Sequence, residues 1–145
     1  IVLMDSSKEM VEVMKEKISD NSIENLNPVV ADLEKGEYLG GKFDLIYSQM
    51  VFHHIKDVGS LLEKLYKLLK PGGYIAIADL YKEDGTFHGE GFSGHNGFDV
   101  ELLKSTLESG NFRHTKSETC FIMKKSVDNQ VREFPVFLMI GRRDF

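Results

Sequence analysis

The stretch FDLIYSQMVFHHIKDVGSLLEKLYKLLKPGGYIAIADL, residues 43–80, decides the fold. Its opening run, residues 43–48 (FDLIYS), reads as a short, largely buried strand ended by a polar residue. Asp57 then offers an N-cap, and Val58, Leu61, Leu62, Leu65, Leu68 and Leu69 recur at helical spacing. The predicted helix stops at Lys70-Pro71-Gly72-Gly73, because proline cannot continue it and glycine permits a reversal. Residues 74–80 (YIAIADL) form the next predicted strand. A strand, a crossover helix and a second strand imply parallel neighbours joined with right-handed connectivity.

Working outward, the same grammar recurs on both sides. Residues 28–32 (PVVAD) are a short strand closed by a carboxylate, and residues 1–4 (IVLM) are another, closed by Asp5. Between them Ser6 or Ser7 caps a predicted helix whose inward face carries Met10, Met14 and Ile18. Gly36, Gly40 and Gly41 mark a loop. After residue 80, Asp99 caps a helix with Leu102, Leu103 and Leu107 expected inside, and Gly110 suits its C-terminal cap. Strand-like runs at residues 119–123 and 134–140, with Asp128-Asn129 between them, predict an antiparallel hairpin. The sum is a single α/β domain over residues 1–145: a Rossmann-like, mostly parallel sheet, helices on both faces and a C-terminal antiparallel hairpin. In such sheets ligands bind beyond the carboxyl ends of the strands. Asp5, Asp32, Ser48 and Asp79 are therefore expected along one edge.

Composition narrows the classes. The 145 residues are 41% hydrophobic and 28% charged, ordinary for a globular chain able to bury a core. The net charge of -5 with scattered basic residues argues against a nucleic-acid partner. No apolar stretch reaches the ~20 residues of a membrane-spanning helix, so no membrane partner is expected. Cys120, the one cysteine, cannot form an internal disulfide; it fits a reducing, cytoplasmic setting and is expected as a small buried side chain in a strand.

With these pieces in place, the stretch from Val29 to Leu80 resembles the core of class I S-adenosylmethionine-dependent methyltransferases, most of all their small-molecule branch, the methyltransferase type 11/12-like domains. The matching pieces are VLMDSSKEM, the acid of VVADLE, FDLIYS followed by FHHI, LLKPGG and YIAIADL, with GFDVELLKSTLESGNF resembling the late helix and turn. The resemblance implies S-adenosylmethionine as cofactor and a small-molecule methyl acceptor. It implies that Asp5, with Ser6 beside it, meets the ribose hydroxyls, that Asp32 and Leu33 meet the adenine, and that Ser48 and Gln49 line the methionine end. His53 and His54 match the pair after the fourth strand, close to the transferred methyl, and are the candidate catalytic residues.

The resemblance also implies a first strand and glycine-rich loop ahead of VLMD, which would lie between the second and fourth strands. Without it the sheet is expected to close second strand on fourth, or to borrow a strand from another subunit, which favours a homo-oligomer. Cofactor binding by the 145-residue chain is then expected to be impaired. The rival readings are a non-catalytic methyltransferase-like interaction module and a dinucleotide-dependent oxidoreductase, which shares the acid at Asp5 but leaves FHHI and LLKPGG unexplained. Gly89-Glu90-Gly91-Phe92-Ser93-Gly94 fits G-x-G-x-x-G, yet it neither follows a strand nor opens a helix. It reads instead as a loop over the strand ends, a candidate substrate lid flanked by His88 and His95. No metal site is expected, since no carboxylate or cysteine stands at ligand spacing from these histidines.

Overall fold

The computed structural model describes residues 1–145. The chain divides into two compact units, Ile1–Gly40 and Gly41–Phe145.

In the first unit, Val2–Asp5 (β1) and Asn27–Val30 (β2) pair in parallel, with Asp5 opposite Val30. Lys8–Asp20 (α1) connects them. Its N-cap is Ser7, whose hydroxyl accepts from the Met10 amide at 3.1 Å and satisfies one of the orphan donors of the first turn. The inward face differs by one position from the expected stripe: Val11 is buried and Met14 and Ile18 are half-buried, while Met10 is exposed. The expected second strand ends two residues early, so Asp32 lies in the turn after β2 rather than at its tip.

The second unit holds a four-stranded sheet in the order Phe43–Gln49 (β3), Leu69–Leu80 (β4), Gln130–Arg143 (β6), Phe112–Val127 (β5). The β3–β4 pair is parallel, and β4–β6 and β6–β5 are antiparallel. Val58–Leu68 (α2) makes the crossover from β3 to β4, capped by Asp57 on the Ser60 amide at 2.9 Å. Val100–Ser109 (α3) precedes the hairpin, capped by Asp99 on the Leu102 amide at 3.1 Å. Leu103 and Leu107 are buried as expected, but Leu102 points outward. Strand β4 begins at Leu69 and runs through the Pro71-Gly72-Gly73 segment that was expected to be a turn. Gly73 is required there: a Cβ would lie 2.9 Å from the Lys70 carbonyl oxygen and 3.1 Å from that of Asp44.

The hairpin is longer than its apolar runs suggested. Its turn, Asp128-Asn129, takes positive φ at both residues (50° and 61°), the backbone twist that matches flanking strands. Strand β5 is an edge strand, broken by register shifts between Arg113 and Lys116 and between Thr119 and Phe121. Irregularity and lysines blunt an open edge against further pairing. Cys120 sits on this edge and is exposed, contrary to the expected burial.

The architecture is the expected α/β arrangement of parallel strands followed by an antiparallel hairpin. The first unit holds the two-stranded β1–β2 pair and the second the four-stranded sheet β3-β4-β6-β5. No helix is long and apolar enough to cross a membrane.

Strand β4 is central in its sheet, with neighbours on both edges, and Ile75, Ile77, Ala78, Asp79 and Leu80 are all buried. Ala78 and Leu80 pack with Phe87, Phe134 and Val136 in one core cluster. A polar side chain at position 79 is therefore buried by the topology and needs a partner.

Candidate functional site

Strand β3 ends in a turn that carries its successor residues over the end of β4. Met50 takes a positive φ of 55° and donates its amide to the Ala78 carbonyl at 2.8 Å. The short 3-10 turn Phe52–His54 follows, with Phe52 and His53 buried. His53 then meets Asp79 on two counts. Its backbone amide donates to Oδ2 at 3.2 Å, and its Nδ1 lies 2.6 Å from Oδ1. The Leu80 amide donates to the same Oδ1 at 2.7 Å. A carboxylate can only accept, so the His53 proton sits on Nδ1 and the Nε2 lone pair points away from Asp79.

That lone pair faces a second histidine. His88 Nε2 lies 2.9 Å from His53 Nε2, and the hydrogen-bond logic makes His88 the donor. The His88 ring stacks on Phe92, centroids 3.9 Å apart and planes 15° from parallel. His54 packs on His53 with centroids 4.2 Å apart and meets Phe92 edge-on at 5.3 Å. One ligand nitrogen from each of His53, His54 and His88 lies within 4.8 Å of the others. Partial burial holds the pKa of His54 and His88 below the ordinary imidazole value, with His53 as the next cause in each case.

The loop that brings His88 here is held from both ends. Glu83 accepts from the amides of Gly85 and Phe87, at 2.8 and 3.1 Å, and Phe87 anchors in the core cluster. Lys125 donates to the Phe87 carbonyl. On the far side the His95 amide donates to the His53 carbonyl at 2.7 Å, and the His95 ring meets the Ile55 carbonyl at 2.9 Å. Gly94 permits this approach, since a Cβ there would lie 2.3 Å from the His53 oxygen. The glycine-rich segment is thus packed against the histidine cluster.

The remaining predicted positions fall as follows. Ser48 and Gln49 are the last residues of β3, opposite Ile77 and Ala78; Ser48 is half-buried and Gln49 is exposed, accepting from the Tyr47 hydroxyl at 2.8 Å. In the first unit Asp5 and Asp32 lie at the same, carboxyl end of the β1–β2 pair, where the Ala31 amide donates to the Asp5 carbonyl at 2.9 Å. Asp5 is half-buried and its Oδ1 accepts from the Ser7 amide at 2.8 Å. Ser6 is exposed beside it. Asp32 shapes its own turn: Oδ1 accepts from the Glu34 and Lys35 amides at 3.0 and 3.3 Å, and Oδ2 pairs with Lys35 at 2.8 Å. Leu33 follows, half-buried.

Sequence reasoning placed Asp79 at a strand tip and His53 after the neighbouring strand without joining them. The available signal was the parallel β3–β4 pairing, which sets the residue after one strand beside the tip of the next. For His88 the sequence marked a flank of the glycine-rich loop but not its meeting with His53, because a 35-residue separation carries no ligand spacing.

The comparisons fit this architecture. Residues 1–77 match the family model described as a methyltransferase domain, and the chain belongs to that family. An uncharacterized methyltransferase of Schizosaccharomyces pombe, C1347.09, is 32% identical over 132 residues, covering 80% of this chain and 46% of that protein. The chain therefore spans about half the length of that relative. Among solved structures, YcgJ from Bacillus subtilis superposes with a TM-score of 0.80 at 15% identity, covering 99% of this chain and 82% of that one. Phosphoethanolamine N-methyltransferase 2 of Haemonchus contortus, solved with S-adenosyl-L-methionine, superposes at 0.76 with 17% identity, covering 99% and 43%. At these identities the likeness establishes the fold.

Proposed function

We propose that this chain serves S-adenosylmethionine-dependent methyl transfer to a small-molecule nucleophile, with His53 as the proton acceptor and Asp79 as the residue that orients it. The observation that carries the reading is the buried His53–Asp79 contact of 2.6 Å at the carboxyl ends of paired parallel strands. Family membership and the neighbour solved with S-adenosyl-L-methionine support the cofactor.

Each unit carries groups of the kind that such a ligand needs. Asp5 stands at a strand tip with one oxygen engaged by the Ser7 amide, and a carboxylate accepts further donors, as two ribose hydroxyls require. In this reading Ser6 adds a hydroxyl beside it. Asp32 and Leu33 offer an acceptor and an apolar edge for the adenine, and Ser48 and Gln49 serve the methionine end. Bound S-adenosylmethionine supplies an electrophilic sulfonium methyl group. The acceptor's lone pair would take that methyl group, and S-adenosylhomocysteine would leave. Once the exposed His88 side chain turns its N–H away, the acceptor's proton passes to His53 Nε2, and Asp79 stabilises the imidazolium that results. Positioning carries most of the acceleration in such displacements. The base contributes about 10²–10⁴-fold where the acceptor must lose a proton. His54 borders the same turn and helps shape the acceptor's side of the site.

Titration of S-adenosylhomocysteine into the protein by calorimetry, followed by transfer of a labelled methyl group to candidate amines, phenols and thiols, tests the reading. Binding that Asp5→Ala weakens, and transfer that His53→Gln slows by about 10²–10⁴-fold, are expected. Unchanged binding in Asp5→Ala would overturn the assignment.

A further inference from the structure

The histidine cluster supports an activity separate from methyl transfer. We propose that His53, His54 and His88 form a binding site for a late first-row divalent cation of the zinc type, with Asp79 as the carboxylate behind the first ligand. Three features of the second unit carry this.

First, the three imidazoles converge: one ring nitrogen of each lies within 4.8 Å of the others. Zinc binds imidazole at ~2.0–2.1 Å in tetrahedral geometry, so its ligand nitrogens stand ~3.4 Å apart. The 2.9 Å between His53 Nε2 and His88 Nε2 is a few tenths short of that, and the wider separations close by rotating His54 and His88. Both of those side chains are exposed, so the adjustment leaves the backbone in place.

Second, His53 is already set as a ligand. Metal-bound imidazoles typically donate their other N–H to a carboxylate or carbonyl, which fixes the tautomer and raises ligand basicity. Asp79 does this at 2.6 Å from within the core. The 2.9 Å contact between the two imidazole nitrogens is an N–H···N hydrogen bond from His88, and a cation would take the place of that proton as the rings move a few tenths of an ångström apart.

Third, the donor set selects the ion. Three neutral nitrogens suit zinc, cobalt, nickel or copper, and offer little to magnesium or calcium, which take oxygen. Three protein ligands leave the fourth position to water or a bound molecule, as in catalytic rather than structural zinc sites.

The cation site does not depend on the cofactor, since every ligand lies within the second unit. The Nε2 lone pair of His53 cannot hold a cation and accept a proton at once. Cation binding is therefore measured without cofactor, and methyl transfer in chelator, so each reading can fail alone.

The test is a titration of the chelator-treated full chain with Co²⁺, read by its visible absorption, followed by displacement with Zn²⁺. One Co²⁺ per chain with the intense bands of a four- or five-coordinate site is expected. His54→Ala and His88→Ala, both surface changes, should each weaken binding at least tenfold. Asp79→Asn should weaken it by about 10–100-fold. His114→Ala, an exposed histidine on β5, should leave it unchanged. Circular dichroism confirms that each variant is folded before titration. Absence of a saturable signal in the wild type, or wild-type affinity in a folded His88→Ala, would overturn the proposal.

Discussion

Asp79 Oδ1 stands 2.6 Å from His53 Nδ1, with both side chains buried to 1% exposure or less. The contact joins the tip of β4 to the turn after β3, so one interaction both closes the core and aims an imidazole. Removing His53 leaves a carboxylate buried with only two amide donors, His53's own and Leu80's. His53→Ala should cost about 3 kcal/mol, the range for breaking a buried pair by deleting one partner. Chemical denaturation of the variant against wild type checks this. A loss under 1 kcal/mol would mean that water already reaches Asp79.

Gly94 lets the loop sit on the His53 carbonyl, where a Cβ would stand 2.3 Å from that oxygen and equally close to the Phe92 ring. Gly94→Ala must push the loop off. A destabilisation of about 1–3 kcal/mol, typical of overpacking, is expected. The hydrogen bond from the His95 amide to His53 should weaken with it. Hydrogen exchange at the His95 amide reads that second effect directly: faster exchange is expected, and unchanged protection would contradict the packing described.

Asp5 and Asp32 occupy the same end of the β1–β2 pair, but their side chains have different tasks in the folded chain. Asp5 holds one amide, whereas Asp32 ties down two amides and an ammonium. Asp5→Ala should therefore act chiefly on cofactor affinity, by roughly tenfold or more, as expected for hydrogen bonds to a charged acceptor. Asp32→Ala should also loosen its turn. Calorimetry with S-adenosylhomocysteine separates the two, and an Asp5→Ala affinity equal to wild type would remove the ribose assignment.

The Lys35 ammonium beside Asp32 holds its carboxyl below the ordinary carboxylate value of about 3.9, and the Glu34 amide adds to the effect. A depressed carboxylate binds fewer protons folded than unfolded. Its contribution is present above the unfolded value and is lost as pH falls through the folded one, below about pH 4. The pair is exposed, so the effect on stability is small and screened by salt. An NMR titration of the Asp32 carboxyl should give a value below 3.9 that rises in Lys35→Met. An unshifted carboxyl in the wild type would show that the pair does not form in solution.

Local chemistry was legible in the sequence. Ser7, Asp57 and Asp99 each cap the helix that their position announced, because a cap needs only a few neighbouring residues. Asp128-Asn129 announced the hairpin for the same reason. Features set by the sheet were not legible. The Pro71-Gly72-Gly73 segment reads as a stop, yet neighbouring β3 draws Leu69 into pairing with Phe43 and extends β4 across it. Leu102 matches a helical stripe, yet the buried face of α3 is set by Leu103 and Leu107, and Leu102 lies outside. Cys120 follows strand patterning onto an edge strand that buries little. At the candidate site, His53, Asp79 and the strand tips were each found singly. Their joining, and the arrival of His88, depend on which strands are neighbours and on a loop anchored by Phe87.

The central claim is that Asp79 fixes the proton of His53 on Nδ1 and leaves the lone pair on Nε2 for a proton or a cation. A long-range proton–nitrogen NMR spectrum of the metal-free protein, at a pH where imidazole is neutral, reports this directly. The expected pattern for His53 is a protonated Nδ1 and a bare Nε2. A spectrum showing His53 with its proton on Nε2 would contradict both the base and the ligand assigned here.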